Sequence, residues 1–219
     1  MKKQLSLLFI SLLLFSACGD DEDEIDQIHF SFKNEASLIG KLTSYIKSAS
    51  PGTIMSQYST DTTLYFLYDE STTLGDLELF YNFESKKCNG VGIYSYTETL
   101  NASYSMILQA DSELGTAYGY VLVYTDSESN ADTTFFDTLS DMQAYISNNS
   151  IAATNITYLA GYYPTDEYDY YAGGLTDEST STYWPVTEIY PHDGSEKSAP
   201  SSAINDRIFE NIKSRVSSR

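Results

Sequence analysis

The stretch LELFYNFE, residues 77–84, alternates apolar and polar side chains as a half-buried β-strand does. Its acidic residues Glu78 and Glu84 fall on one face. The opposite face is apolar and holds Leu77, Leu79, Tyr81 and Phe83. The run TTLYFLYD (62–69) precedes it, and VGIYSY (91–96) follows across a short connection, so the three runs predict an antiparallel meander.

Two segments on either side of this meander have the spacing of amphipathic helices. Residues 35–48 place apolar side chains on one helical face, with Asn34 as a candidate N-cap. Residues 102–114 do the same after Asn101, and a glycine follows as a natural stop. The apolar stripe expected on this second helix is Tyr104, Ile107, Leu108 and Leu114.

The second half of the chain continues the alternation of strands and helices. Residues 117–125 and 156–163 predict further strands, and 139–147 predict a third helix after the capping sequence that begins at Thr138. The expected order is α-β-β-β-α-β-(β)-α-β plus a C-terminal helix. Helices grouped with antiparallel strands indicate an α+β domain over residues 32–163, with helices on one face of the sheet.

The first 17 residues have the pattern of a secretory signal. Lys2 and Lys3 form a positive start, residues 5–15 are mostly apolar, and small residues precede Cys18. The apolar run is too short for a transmembrane helix, which needs about 20 residues. We therefore expect residues 1–17 to be a cleaved export signal.

The junction Phe15-Ser16-Ala17-Cys18 resembles the lipobox of bacterial lipoproteins, although Phe15 stands where leucine is commonest. This resemblance implies that Cys18 carries acyl chains, palmitate among them, and two or more such chains anchor a protein stably to a membrane. Residues 18–31 then form an acidic tether. The acids of Asp20–Asp26 resemble the export tag of Bacteroidota-type surface lipoproteins. The resemblance implies the cell surface of the outer membrane, with its periplasmic face as the alternative.

The acidic composition of the chain limits the kinds of molecule that it can bind. The chain has 12 basic and 31 acidic residues; without residues 1–17 it keeps 10 basic residues and a net charge of −21. Such acidity argues against nucleic acid, whose binding needs a basic face. With Cys18 lipidated, Cys88 has no disulfide partner, and no histidine stands near it in the sequence to activate it.

Residues 164–201 lack clear periodicity and are rich in acidic, hydroxyl and tyrosine side chains, so we expect a loop-rich segment. Residues 202–219 return to a helical pattern in which basic residues outnumber acidic ones. Its apolar residues are Ile204, Ile208, Phe209, Ile212 and Val216. Basic amphipathic helices can lie on membranes, but docking against the acidic domain is the simpler interpretation.

The sequence contains no catalytic motif, no cofactor motif and no residue set that predicts catalysis. Alternate oxygen-bearing residues suggest a weak calcium site at Asp126, Glu128, Asn130 and Asp132, but a solvated hairpin turn explains the same residues. Asp-Thr sequences resemble O-glycosylation acceptors of exported Bacteroidota-type proteins and make Thr62 and Thr133 candidates. Thr138 is excluded by its expected role as a helix cap.

Tyrosine is unusually common, with 20 residues in the chain, and suggests a binding surface for a glycan or a protein. The alternative is that these rings line a half-exposed sheet. The candidate binding residues are Tyr162, Tyr163, Tyr168, Tyr170, Tyr171 and Trp184. A binding lipoprotein is the first hypothesis. An acid-dependent hydrolase of surface polymers and a periplasmic immunity or inhibitor protein are the alternatives.

Overall fold

The computed structural model describes residues 30–68, 74–97, 99–126, 130–177 and 182–192. The expectations for the signal, most of the tether and the C-terminal helix lie outside the described residues. The helices are α1 (Phe32–Ala36), α2 (Thr43–Ala49), α3 (Leu100–Leu114), α4 (Leu139–Asn148) and a short 3-10 turn (Ala153–Asn155). The strands are β1 (Thr53–Ile54), β2 (Thr63–Tyr68), β3 (Leu77–Glu84), β4 (Lys87–Ser95), β5 (Gly119–Thr125), β6 (Ala131–Phe136), β7 (Ile156–Pro164), β8 (Tyr168–Asp177) and β9 (Thr182–Pro191).

All nine strands of the described chain join one antiparallel sheet in the order β1-β2-β3-β4-β9-β8-β7-β5-β6. One face of the sheet packs against the helices in a single large cluster of buried residues, which we call the helix-side core. Among the described residues, the other two buried clusters contain strand residues alone. The predicted α+β fold with helices on one face is confirmed.

The predicted meander is also confirmed, because β2 pairs with β3 and β3 pairs with β4, both antiparallel. The stretch at 77–84 forms β3 over its whole length, and its four apolar side chains are buried. They belong to the helix-side core, whereas Glu78 and Glu84 are on the other side. The alternation of side chains determines which face of β3 turns toward the core, because only one register buries these four apolar side chains together.

The single helix predicted at 35–48 is wrong, since two short helices occupy this region. Between them, Gly40 has a φ of +83°, a conformation that favours glycine and interrupts a helix. Gly40 N–H donates to the Cys88 carbonyl at 2.8 Å, and Cys88 N–H donates to the Lys41 carbonyl at 2.9 Å. The chain therefore leaves the helix to hydrogen-bond with the start of β4.

Two of the three expected helix caps were misplaced by two or three residues. The Ser31 hydroxyl caps α1 by accepting from the backbone of Asn34, which had been the expected cap. Thr99, not Asn101, caps α3. The expected cap of α4 is confirmed, because the Thr138 hydroxyl accepts from the third residue of that helix at 3.1 Å.

Of the stripe expected on α3, Ile107 is buried in the helix-side core and Tyr104 and Leu114 pack against that core, but Leu108 is misplaced. Leu108 is 57% exposed, while the buried positions are largely small. Ser103 lies so close to Gly174 on β8 that a Cβ built on Gly174 would overlap the serine hydroxyl. Small residues on both partners thus let α3 approach the sheet closely, at the cost of a weaker hydrophobic pattern. The buried residues of α3 are Ala102, Ser103, Met106, Ile107 and Ala110.

The loop-rich interpretation of residues 164–201 is wrong where the structure describes them. Two ten-residue strands, β8 and β9, run through this segment and occupy the middle of the sheet. The α+β domain therefore extends beyond residue 163, at least to Pro191. Pro185 fits within β9 because it lies outside the Val186–Ile189 stretch that pairs with β4.

Candidate functional site

The side of the sheet away from the helices carries a second set of buried aromatic and aliphatic residues. No described helix packs on this side, which we call the helix-free face. One cluster on it combines Phe80, Tyr94 and Val186, with Tyr65, Leu175 and Trp184 packed around them. A second cluster combines Val123, Tyr158 and Ala160. A sheet with apolar residues on both faces has two surfaces that need contacts, and the described helices cover one of them.

Glycine shapes the packing on this face. The ring of Phe80 occupies the space directly above Gly92 on the neighbouring strand, where a Cβ would overlap it. The same ring stacks on Tyr94, with centroids 5.2 Å apart and an angle of 25° between the planes. The rings of β3 and β4 therefore form a continuous aromatic layer.

A small pocket opens at the end of the helix-free face where β3 begins, β4 ends and β9 begins. Its volume is about 110 Å³, and it combines aromatic rings with hydroxyl groups and one carboxylate. The residues that line it are Glu78, Tyr94, Ser95, Tyr96 and Trp184. The β3–β4 hairpin and β9, which lies far along the chain, thus contribute to one concave site.

Hydrogen bonding fixes the polar side of this pocket. The Tyr96 hydroxyl donates to Oε2 of Glu78 at 2.9 Å. Partial burial raises the pKa of Tyr96 to about 12, helped by this hydrogen bond and by the charges of Glu78, Tyr58 and Asp76. Tyr96 is therefore a neutral donor at physiological pH, and it holds the Glu78 carboxylate in a fixed orientation.

Trp184 supplies the other side of the pocket and carries a polar atom without a described partner. Its indole Nε1 is buried and donates to no acceptor within the described part of the chain. A buried donor that makes no hydrogen bond costs about 1–3 kcal/mol of folding free energy. An acceptor that reached this nitrogen would recover that free energy, so Trp184 combines an apolar ring with a donor that has no acceptor among the described residues.

Tyrosines gather at the opposite end of the helix-free face. The rings of Tyr162 and Tyr171, which face each other across β7 and β8, stack at 5.1 Å and 17°. The Tyr162 hydroxyl donates to Asp169 at 2.8 Å, and His192 Nδ1 lies 2.9 Å from the same carboxylate oxygen. Asp169 is far from His192 in sequence, so the sequence did not reveal this pairing.

The candidate binding tyrosines are divided between the two sides of the sheet. Tyr163 and Tyr170 are buried in the helix-side core, and Tyr168 packs against that core. The Tyr163 hydroxyl donates to Asp111 at 2.9 Å. Burial is the main cause that raises the pKa of Tyr163 far above its ordinary value, and this hydrogen bond contributes as well. These three tyrosines support the fold, which leaves Tyr162, Tyr171 and Trp184 on the helix-free face.

The candidate calcium ligands hold a hairpin turn. Asp126 accepts from the backbone N–H of Asn130 at 2.8 Å and from its side-chain amide at 3.2 Å. Asp132 accepts from the Tyr124 hydroxyl at 2.9 Å. Glu128 lies outside the described residues. No group of three metal-ligating side chains occurs within the ranges that the structure describes.

Three other residues named from the sequence have defined surroundings. Thr62 and Thr133 are exposed, the first just before β2 and the second on the edge strand β6. Cys88 is buried within β4, and burial raises the pKa of its thiol to about 11. At neutral pH Cys88 is therefore a protonated, inaccessible thiol.

No protein-family model, curated protein or solved structure shows detectable similarity to this chain. Within the described ranges, no helix has both the length and the apolar character needed to cross a membrane. The pocket at Trp184 and the helix-free face are the features on which a functional proposal has to rest.

Proposed function

We propose that the protein is a lipid-anchored, surface-exposed lipoprotein of the outer membrane that binds a neutral sugar residue in the pocket at Trp184. The resemblance of Phe15–Cys18 to a lipobox and the acids that follow support the location. The observation that carries the binding role is the buried Trp184 donor in a pocket that also presents a fixed carboxylate.

The chemistry of the pocket suits a sugar ring. Such a ring has apolar C–H surfaces that pack on aromatic side chains, and hydroxyl groups that both donate and accept hydrogen bonds. Glu78 can accept from a hydroxyl, while Trp184 Nε1 can donate to one. Pockets for drug-sized ligands span about 300–1,000 Å³, so a pocket of about 110 Å³ receives a single ring at the end of a larger molecule.

Charge favours a neutral ligand over an acidic one. The Glu78 carboxylate lines the pocket, and the whole chain has a net charge of −19. An anionic ligand would meet repulsion both in the pocket and during its approach. Phosphorylated sugars, uronic acids and nucleic acids are therefore disfavoured.

Trp184 is the sole tryptophan in the sequence, so its fluorescence reports on this pocket directly. The mature protein is titrated with neutral oligosaccharides, with uronic-acid oligosaccharides and with peptides. We expect a saturable change in emission with a neutral oligosaccharide alone. A response limited to peptides or acidic sugars, or no response to any of these ligands, would contradict the proposal.

Glu78→Gln tests the carboxylate while keeping the tryptophan reporter. We expect at least tenfold weaker binding, because the amide replaces a charged acceptor with a neutral one. Glu84→Gln is the matched control, since Glu84 lies on the same strand and the same side of the sheet but is exposed at the other end of β3. Equal affinities of the two variants would place the ligand elsewhere.

A further inference from the structure

The middle of the helix-free face is buried although no described element packs over it. Val186 is 2% exposed, Tyr158 is 4% exposed and Phe80 is 6% exposed. The described residues around them all belong to strands of the same sheet. Side chains on an uncovered sheet face keep their outer surface in contact with water, so this degree of burial requires a covering segment.

The geometry of the aromatic layer strengthens this requirement. Phe80 lies over Gly92 and stacks on Tyr94, so the rings spread along the sheet. Neighbouring side chains can shield the edges of such rings, but the side turned away from the sheet remains open. A partner that contacts this outer side accounts for the low exposure of Phe80.

The end of the described chain suggests the occupant. β9 ends at Pro191, beside the tyrosines of the helix-free face, and 27 residues follow His192. Residues 193–203 can span up to about 36 Å when extended, which is enough to turn back over the sheet. The amphipathic pattern begins immediately after this connection, at Ile204.

The length and the charge of residues 202–219 both fit the helix-free face. From Ile204 to Val216 a helix would extend about 18 Å. On β9, Val186 lies about 13 Å from Tyr190 at the usual rise of a strand, so a helix of this length can cover the middle of the face. Residues 202–219 carry four basic and two acidic side chains, whereas the helix-free face presents carboxylates that include Glu188 and Asp169. A basic segment on an acidic face gains favourable electrostatic energy in addition to apolar contact.

We propose that residues 202–219 of this same chain pack as an amphipathic helix over the middle of the helix-free face. The apolar residues of the segment cover the layer formed by Phe80, Tyr94 and Val186. The sheet thereby has helical cover on both sides, with the second cover supplied by the C-terminus. This proposal concerns the middle of the face and does not depend on whether the pocket at Trp184 binds a sugar.

Thiol labelling tests the cover in the full mature chain, with Ser replacing Cys18 so that no lipid is attached. Ile212→Cys places a thiol on the predicted apolar side of the segment, and Ser214→Cys places one on the opposite side. We expect labelling at position 212 to be at least tenfold slower than at position 214. Equal rates at the two positions would overturn the proposal.

A photo-crosslinker locates the contact. A benzophenone attached to the thiol at position 212 should crosslink within one chain to peptides of β3, β4 or β9. Crosslinks to α3 or α4 would place the segment on the wrong face. Crosslinks between two chains would indicate a second copy as the occupant, and protection that arises only with anionic lipid vesicles would indicate a membrane. Each of these three results would overturn the proposal.

Discussion

The hydroxyl of Tyr81 donates a hydrogen bond to Oε2 of Glu35 over 2.7 Å, and both residues are fully buried in the structure. The Ser50 hydroxyl lies 3.0 Å from the same phenol oxygen. Burial raises the pKa of Glu35 from 4.5 to about 8, and the bond from Tyr81 opposes this shift only in part. Glu35 is therefore a neutral acid at pH 7 and links α1 to the centre of β3.

This raised pKa predicts a loss of stability as the pH rises. Between about pH 4.5 and 8 the folded state keeps a proton on Glu35 that the unfolded state releases. The contribution of this residue to the free energy of unfolding is therefore complete below pH 4.5. It decreases by about 1.4 kcal/mol per pH unit across the window.

Glu35→Gln isolates this contribution. We expect urea unfolding to give a shallower decrease in stability from pH 5 to 8 for the variant than for the natural protein. Glu84→Gln, which removes an exposed carboxylate, is the control for the loss of one acidic side chain. Parallel pH profiles for Glu35→Gln and the natural protein would show that Glu35 is not protonated in the folded state.

Gly174→Ala should destabilise the protein by about 1–3 kcal/mol, because the added methyl group would overlap Ser103 on α3 and force helix and sheet apart. Gly119→Ala is the control, since its added methyl group has Phe136 O as its nearest described neighbour, at 3.6 Å. Chemical unfolding of both variants measures the difference. Equal stabilities would mean that α3 is not packed closely on β8.

Cys18→Ala should abolish lipidation and release the protein from the membrane fraction or leave it unprocessed. The basis is the lipobox-like sequence that ends at Cys18. Metabolic labelling with palmitate and membrane fractionation measure the outcome. Cys88→Ala is the control, because that cysteine is buried and should take no lipid. Normal acylation of the Cys18→Ala protein would refute the assignment.

Replacing the acids of Asp20–Glu24 with alanine should move the protein from the cell surface to the periplasmic face. The folded domain should keep its stability, since these residues precede α1 and are too polar to pack in a core. Protease treatment of intact cells measures the location. Unchanged accessibility would show that the acids form only a spacer.

Thr62 or Thr133 should carry a glycan, because both threonines follow an aspartate and are exposed. The intact mass of protein from its native host should exceed polypeptide plus lipid, and Thr62→Ala or Thr133→Ala should remove the excess. Thr138→Ala should leave the mass of the glycan unchanged but cost about 1 kcal/mol of stability, since its hydroxyl caps α4. A native mass without excess would end this hypothesis.

The sequence predicted those elements whose own residues determine their conformation. β3 was predicted at its observed bounds because four apolar side chains alternate along one of its faces, and α4 was predicted because Thr138 provides a local start signal. β8 was missed because Ala172, Gly173 and Gly174 provide little apolar signal, although close packing at the two glycines requires their small size. A pattern based on hydrophobicity does not detect a strand that is buried through small residues.

The pocket could not be predicted for a different reason. Trp184 was named from the sequence, but its neighbours Glu78 and Tyr96 belong to β3 and to the end of β4. Only the pairing of β4 with β9 brings these residues together. Likewise, the break between α1 and α2 depends on hydrogen bonds to Cys88, which lies far along the chain.

That pairing also has a consequence for the order of folding. β2, β3 and β4 form one hairpin-connected unit, and β7, β8 and β9 form another, so each can assemble from neighbouring residues. Val91 meets Ile189 only after nearly half of the chain has been closed into a loop. Contacts of such long range form slowly. We therefore expect the two units to form first and their union at β4 and β9 to limit the rate of folding.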